Sequence, residues 1–93
     1  MIKKVEIAPK AQKQLLKVPS HIFRKLFKWI EIVSKFGLED TRKTPGYHDE
    51  PLKGDRKFQR SIRLNRAYRA IYIVKQGLKI EFVEIQEVNK HDY

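Results

Sequence analysis

The sequence contains no cysteine, which excludes disulfide bonds and thiolate metal sites and fits a reducing compartment. It also has no apolar run long enough to span a bilayer. Its first ten residues are basic but lack the apolar segment of a secretory signal. We therefore expect a cytoplasmic protein that has no association with membranes.

Motifs for metal and cofactor chemistry are missing as well. The three histidines, His21, His48 and His91, fall in separate segments without the spacing of metal ligands, and carboxylates do not cluster with them. There is neither a glycine-rich phosphate loop nor a nucleophile elbow. The sequence predicts no bound metal and no cofactor.

Positive charge, in contrast, is abundant. The chain of 93 residues has 21 Lys and Arg against 11 Asp and Glu, which gives a net charge of +10. A single domain this basic attracts polyanions, and its affinity for them falls as the salt concentration rises. Nucleic acid or the ribosome is the natural partner, and an acidic protein is the next. The alternative is a lysine-rich surface that only confers solubility.

Hydrophobic periodicity predicts an α+β domain of order β-α-α-β-β-β, a helical hairpin packed on a small, mostly antiparallel sheet. Residues 2–7 are expected to form a strand and residues 9–18 a helix that starts at Pro9. A longer helix, 21–36, follows an N-cap at Ser20 and ends at Gly37. Residues 38–49 carry turn signals and predict a loop. Strands are expected over 58–64, 68–74 and 78–88, the last of them central.

The longer helix has a broad apolar face. Its two rows are Ile22, Leu26, Trp29, Val33 and Phe36, and beside them Phe23, Phe27 and Ile30. The aromatic side chains could serve as a platform on which bases stack. Because aromatic residues at helical spacing more often mark a core, we predict that they are buried.

The most unusual segment runs from residue 50 to residue 74, EPLKGDRKFQRSIRLNRAYRAIYIV. Arginines alternate with strand-forming residues in it, which predicts a half-buried hairpin with guanidinium groups on the sheet. The planar guanidinium pairs with phosphate through two hydrogen bonds, so we interpret the hairpin as an RNA-binding surface. Its basic residues are Lys53, Arg56, Lys57, Arg60, Arg63, Arg66 and Arg69.

The register of this hairpin is left open by the sequence. A two-residue turn at Asn65 and Arg66 would place Arg69 opposite Ile62, and one additional residue would reverse the two faces.

Cleavage of RNA without a metal is the chemistry that these residues suggest. The 2′-hydroxyl is the nucleophile, so the enzyme needs a base, fixed positive charge at phosphorus and an acid for the leaving 5′ oxygen. Glu50 is a candidate base, Arg69 and Lys53 are candidates for the positive charge, and His91 is a candidate acid that Tyr93 could assist. The alternatives are an exposed surface carboxylate, an arginine paired within the fold and a frayed C-terminal tail.

Three segments, EPLKGD (50–55), YRAIY (68–72) and HDY (91–93), resemble the RelE/ParE superfamily of type II toxins. The resemblance extends over nearly the whole chain and is strongest to the YoeB/Txe branch, with HigB-like toxins next. It implies a RelE-like fold and a ribosome-dependent endoribonuclease that cleaves translating mRNA.

The resemblance also implies roles for individual residues. Glu50 corresponds to the general base, Arg69 to the group that stabilises the transition state, His91 to the general acid and Tyr93 to the terminal aromatic. Asp92 departs from the YoeB-like pattern, because it separates His91 from Tyr93. The basic positions that correspond to contacts with RNA are Lys53, Arg56, Arg63 and Lys90.

The implied partners are a cognate acidic antitoxin, mRNA and the ribosome, in a homodimer or a toxin–antitoxin hetero-oligomer. Two other functions fit the same fold: a ParE-like poison of DNA gyrase, and an RNA-binding module without catalytic activity.

Overall fold

The computed structural model describes residues 1–90 as three helices and a five-stranded sheet. Residues Gly54–Arg56 form a 3₁₀ turn. The helices are α1 (Pro9–Leu15), α2 (Ser20–Phe36) and α3 (Leu38–Arg42). The strands are β1 (Val5–Ile7), β2 (Glu50–Pro51), β3 (Arg60–Arg63), β4 (Tyr68–Gln76) and β5 (Glu81–Lys90).

The order of strands in the sheet is β1-β5-β4-β3-β2. Only the β1–β5 pair is parallel, and the remaining pairs are antiparallel. The predicted α+β class and mostly antiparallel sheet are therefore confirmed, and the last strand lies between two others as expected. Gly77 and Ile80 close the turn between β4 and β5 through a backbone hydrogen bond of 2.8 Å.

One face of the sheet packs against α1 and α2. The core contains Ala11 and Leu15 of α1, and Ile22, Leu26, Trp29 and Val33 of α2. From the strands, it contains Ile62, Ala70, Tyr72, Val83, Ile85 and Val88. Successive side chains of a strand point to opposite faces, so the strand residues between these core residues lie on the second face of the sheet. Ile71 is only 8% exposed but does not belong to this core, because its side chain lies on the second face.

α1 also protects part of one edge of β5. β1 pairs with only three residues of β5, which leaves the backbone beyond Ile85 without a neighbouring strand on that side. The side chain of Gln14 accepts a hydrogen bond of 2.7 Å from the Val88 amide and donates one of 3.0 Å to Asn89. A side chain of α1 thus satisfies a backbone amide of β5 that would otherwise be open to pairing with another chain.

Two predictions for local structure are wrong. Ser20 is the first residue of α2 and not its N-cap. The carbonyl of Pro19 accepts hydrogen bonds from the amides of Ile22 and Phe23 instead. Residues 38–49, predicted as a loop, begin with α3, because Leu38 and the hydroxyl of Thr41 are buried there. Gly37 ends α2 at a φ of +87°, which confirms the predicted stop.

The predicted burial of the phenylalanines is also wrong. Phe23 and Phe27 are 43% and 38% exposed, and their rings stack on each other with centroids 4.6 Å apart. Phe36 is exposed, whereas Trp29 is fully buried against Tyr72, as predicted. The core thus takes one row of the apolar face as far as Val33, while Phe23 and Phe27 of the neighbouring row lie outside it.

The β3–β4 hairpin has one residue more in its loop than a two-residue turn. Leu64 and Tyr68 close a loop of residues 65–67, in which the side chain of Asn65 accepts hydrogen bonds from the amides of Ala67 and Tyr68. Arg63 consequently lies opposite Arg69, and Ile62 opposite Ala70. This register turns both arginines away from the core.

Within residues 1–90, no helix has both the length and the apolar character needed to cross a bilayer.

Leu26 and Leu16 provide a matched test of the core, since Leu26 is fully buried and Leu16 is 86% exposed. Leu26→Ala is expected to lower the free energy of unfolding by about 2–5 kcal/mol, because it leaves a cavity among the residues of α2 and the sheet. Leu16→Ala is expected to change it by less than about 0.5 kcal/mol. Urea titrations followed by circular dichroism measure both, and equal losses would contradict this description of the core.

Candidate active site on the exposed sheet face

The face of the sheet that carries no helix forms an open cleft of about 490 Å³ near β2, β3 and the end of β5. Strand alternation brings Glu50, Ser61 and Ile71 to this face at adjacent positions, because Glu50 pairs with Ser61 and Ser61 with Ile71. The residues that line the cleft are Glu50, Leu52, Arg56, Ser61, Arg69, Ile71, Asn89 and Lys90.

Glu50 and Arg69, two of the predicted catalytic residues, form an ion pair in the cleft. A carboxylate oxygen of Glu50 lies 3.8 Å from Nη1 of Arg69, which also donates a hydrogen bond of 3.3 Å to the hydroxyl of Ser61. The side chain of Arg69 is 19% exposed, whereas that of Glu50 is 62% exposed. A proton acceptor that is open to solvent therefore stands beside a guanidinium group held in place by the sheet.

Arg56 is oriented over the cleft by a second group of charges. Its Nη2 lies 2.6 Å from Oε2 of Glu87. The other carboxylate oxygen of Glu87, Oε1, accepts hydrogen bonds from Asn89 and Lys10. The hydrogen bond from Asn89 lowers the pKa of Glu87, and the charges of Lys10 and Arg56 act in the same direction against the opposing effect of burial. Glu87 thus remains a carboxylate and anchors Arg56.

The other basic residues predicted to bind RNA occupy different positions. Lys90 lines the cleft, and Arg63 lies on the same sheet face opposite Arg69 without an ion pair within residues 1–90. Like charges directly opposite each other in a sheet repel, so this arginine pair favours an anion between or above its members. Lys53 is exposed just before the 3₁₀ turn and does not line the cleft.

Arg60 is separated from the cleft. It lies opposite Tyr72 on the helix side of the sheet, and its Nε lies 2.6 Å from a carboxylate oxygen of Asp49. Burial alone would lower the pKa of Arg60, but the hydrogen bond and the charge of Asp49 raise it. The structure therefore places Arg60 in an internal ion pair and not beside Glu50 and Arg69.

Sequence reasoning missed the groups that hold this site together. Four residues that were not predicted as site residues contact a residue of the cleft or of its support. They are Asp49, Ser61, Glu87 and Asn89. The sequence singles out Asp49 only as an acidic residue that directly precedes Glu50 and the basic hairpin. Glu87 carried no signal, because its contacts to Lys10 and Arg56 join distant parts of the sequence.

The predicted general acid, His91, and the terminal aromatic, Tyr93, lie outside the described residues, as does Asp92. Lys90, which lines the cleft, directly precedes His91 in the sequence.

Comparison with known proteins gives matches among solved structures. The YoeB/ParE toxin from Agrobacterium tumefaciens has a TM-score of 0.72 at 18% identity, with coverage of 96% of this chain and 99% of that chain. YafQ from E. coli has a TM-score of 0.73 at 14% identity, with coverage of 96% and 93%. The toxin–antitoxin complex RelBE2 from Mycobacterium tuberculosis has a TM-score of 0.69 at 20% identity, with coverage of 98% and 100%.

No family model matches the sequence, and no curated protein matches it. The structural matches confirm that the chain has the fold of the RelE/ParE toxins over nearly its whole length.

The internal network around Arg60 predicts a specific sensitivity to alkaline pH. Burial raises the pKa of Tyr72 to about 12, and of its two hydrogen-bonding partners Arg42 lowers the pKa while Asp49 raises it. Because the folded state keeps this proton where the unfolded chain has lost it, stability falls as the pH rises from the ordinary tyrosine pKa of about 10 towards 12. The loss should amount to roughly 2–3 kcal/mol.

The measurement is the free energy of unfolding between pH 9 and about pH 11.5, for the wild type and for Tyr72→Phe. The difference between the two isolates Tyr72 from the other tyrosines and lysines. A difference that does not change with pH would show that the hydroxyl of Tyr72 titrates normally in the fold.

Proposed function

We propose that this chain is the toxin of a type II toxin–antitoxin pair and acts as a ribosome-dependent, metal-independent endoribonuclease. The observation that carries the proposal is the ion pair of Glu50 and Arg69 in a cleft whose other charged residues are Arg56 and Lys90. A proton acceptor and fixed cations at one solvent-open position are what cleavage through the 2′-hydroxyl requires.

The proposed reaction is an in-line displacement at phosphorus. Glu50 takes the proton of the 2′-hydroxyl while the bond between the 2′ oxygen and phosphorus forms. The bond from phosphorus to the 5′ oxygen breaks, and that oxygen receives a proton from His91, whose role is inferred from the sequence and from family resemblance. Arg69 stabilises the charge that develops on the phosphoryl oxygens, and the products are a 2′,3′-cyclic phosphate and a 5′-hydroxyl.

The acidic antitoxin is proposed as the partner that blocks this cleft. Arg56, Arg63, Arg69 and Lys90 form a basic surface on one face of the sheet, so a negatively charged segment would occupy the positions of RNA phosphates. The neighbour from M. tuberculosis is itself a toxin–antitoxin complex, which supports a partner of this kind.

Replacing Arg69 tests the catalytic proposal. Arg69→Ala is expected to reduce cleavage of translating mRNA by about 100-fold or more, because it removes charge from the transition state without removing a core side chain. Glu50→Gln and His91→Gln should also reduce cleavage strongly. Arg24→Ala, which removes an exposed arginine of α2 remote from the cleft, is the matched control.

Primer extension on mRNA after induction measures cleavage, and circular dichroism verifies that each variant is folded. Full activity of Arg69→Ala would refute the assignment. A DNA-damage response with intact mRNA would indicate a gyrase poison instead, and salt-dependent RNA binding without cleavage would indicate a binding module.

The salt dependence of RNA binding distinguishes Arg63 from Arg60. Each phosphate contact to single-stranded RNA contributes a slope of about −0.7 to the logarithm of the binding constant against the logarithm of salt concentration. Arg63→Gln should reduce the slope by about this amount. Arg60→Gln should leave the slope unchanged, because Asp49 already neutralises that guanidinium group.

Fluorescence anisotropy with a labelled single-stranded RNA gives both slopes, at a temperature where both variants remain folded. Equal reductions in the two variants would mean that Arg60 leaves Asp49 to bind RNA.

A further inference from the structure

The side chain of Asp49 is completely buried, which is unusual for a carboxylate. Its two oxygens have separate partners: Oδ1 accepts a hydrogen bond of 2.6 Å from Nε of Arg60, and Oδ2 accepts one of 2.6 Å from the hydroxyl of Tyr72. The phenolic oxygen of Tyr72 in turn accepts a hydrogen bond of 3.1 Å from Arg42. A buried charge is tolerated only with partners of this quality, so the fold strongly constrains where Asp49 can be.

The residues around Asp49 have few other constraints. β2 consists of Glu50 and Pro51 alone, both exposed at the edge of the sheet. His48, just before Asp49, has a φ of +46°, a conformation that costs free energy in a residue other than glycine. Such a conformation persists only where its neighbours hold it, and here the neighbours are Asp49 and the buried Tyr47, whose carbonyl accepts a hydrogen bond of 2.6 Å from the Arg63 amide.

Asp49 and Glu50 point to opposite sides of the sheet because they are adjacent in an extended segment. The carboxylate of Asp49 is fixed on the helix side, between Arg60 and Tyr72, while that of Glu50 is in the cleft beside Arg69. Fixing the first carboxylate therefore determines the position and direction of the second.

We propose that Asp49 is the positioning residue for Glu50. Through Arg60 and Tyr72, it holds the edge strand in the register that presents Glu50 to Arg69. The proposal rests on the proposed function only for its effect on catalysis. Its structural part concerns the pairing of Glu50 with Ser61 and is measured without activity.

The structural experiment compares Asp49→Asn with Asp55→Asn, the same chemical change at an exposed residue of the neighbouring 3₁₀ turn. Cross-strand nuclear Overhauser contacts between Glu50 and Ser61 are expected in the wild type and in Asp55→Asn and to be lost in Asp49→Asn. Contacts between Val74 and Val83, which pair elsewhere in the sheet, should persist in all three. Unchanged contacts between Glu50 and Ser61 in Asp49→Asn would overturn the proposal.

Tyr72→Phe provides a second variant if Asp49→Asn does not fold. It removes one hydrogen bond to Asp49 and keeps the ion pair with Arg60, so weaker Glu50–Ser61 contacts are expected. Contacts as strong as those of the wild type would overturn the proposal in this variant as well.

The catalytic experiment is a double-mutant cycle on mRNA cleavage. Asp49→Asn should reduce cleavage by about 10- to 100-fold when Glu50 is present, because a displaced base reacts poorly. It should change cleavage less than about 2-fold in a Glu50→Gln background, where there is no base to position. Equal losses in both backgrounds would mean that Asp49 acts through general stability and would overturn the proposal. If Glu50→Gln alone retains full activity, the proposed function fails, and the Overhauser contacts still decide the role of Asp49.

Discussion

Within residues 1–90, helices pack on one face of the sheet, and the positions of Glu50, Arg63 and Arg69 on the other face follow from that asymmetry. Helices α1 and α2 bury the residues of one strand parity, from Ile62 to Val88, in a single core. The residues of the other parity lie on the opposite face, where Arg63 and Arg69 remain partly exposed and their guanidinium groups are tolerated at little cost. The arginines that a core would exclude therefore collect on the open face, within reach of an anionic ligand.

The cleft depends on strand register, and the length of the β3–β4 loop sets that register. One additional residue in the β3–β4 loop places Arg69 opposite Arg63 and beside Glu50. A two-residue turn would instead place Arg69 on the same face as Ile62, so that either the arginine would enter the core or Ile62 would leave it. The same register thus stabilises the core and assembles the charged site, so neither can change without the other.

Sequence reasoning recovered what depends on local patterns. The fold class, the helical row that contains Leu26 and Trp29 and the internal position of the last strand follow from periodicity. Charge and short motifs singled out Glu50 and Arg69, although not the ion pair between them. It did not recover what depends on distant contacts. The exposure of Phe23 depends on which side of α2 packs against the sheet, and the internal ion pair of Arg60 depends on Asp49, a residue in a loop without periodicity. The hairpin register depends on a hydrogen bond made by the side chain of Asn65, which the chain's alternation does not encode.

The parallel pairing of β1 with β5 has a consequence for the synthesis of the protein. Val5 pairs with Val83, and Ile7 with Ile85, so the first strand cannot pair with β5 until residues 83–85 have been synthesised. β1 and β5 are far apart in the sequence, and such non-local pairing is slow to form. The sheet therefore cannot be completed, nor its cationic cleft assembled, until the residues of β5 have left the exit tunnel.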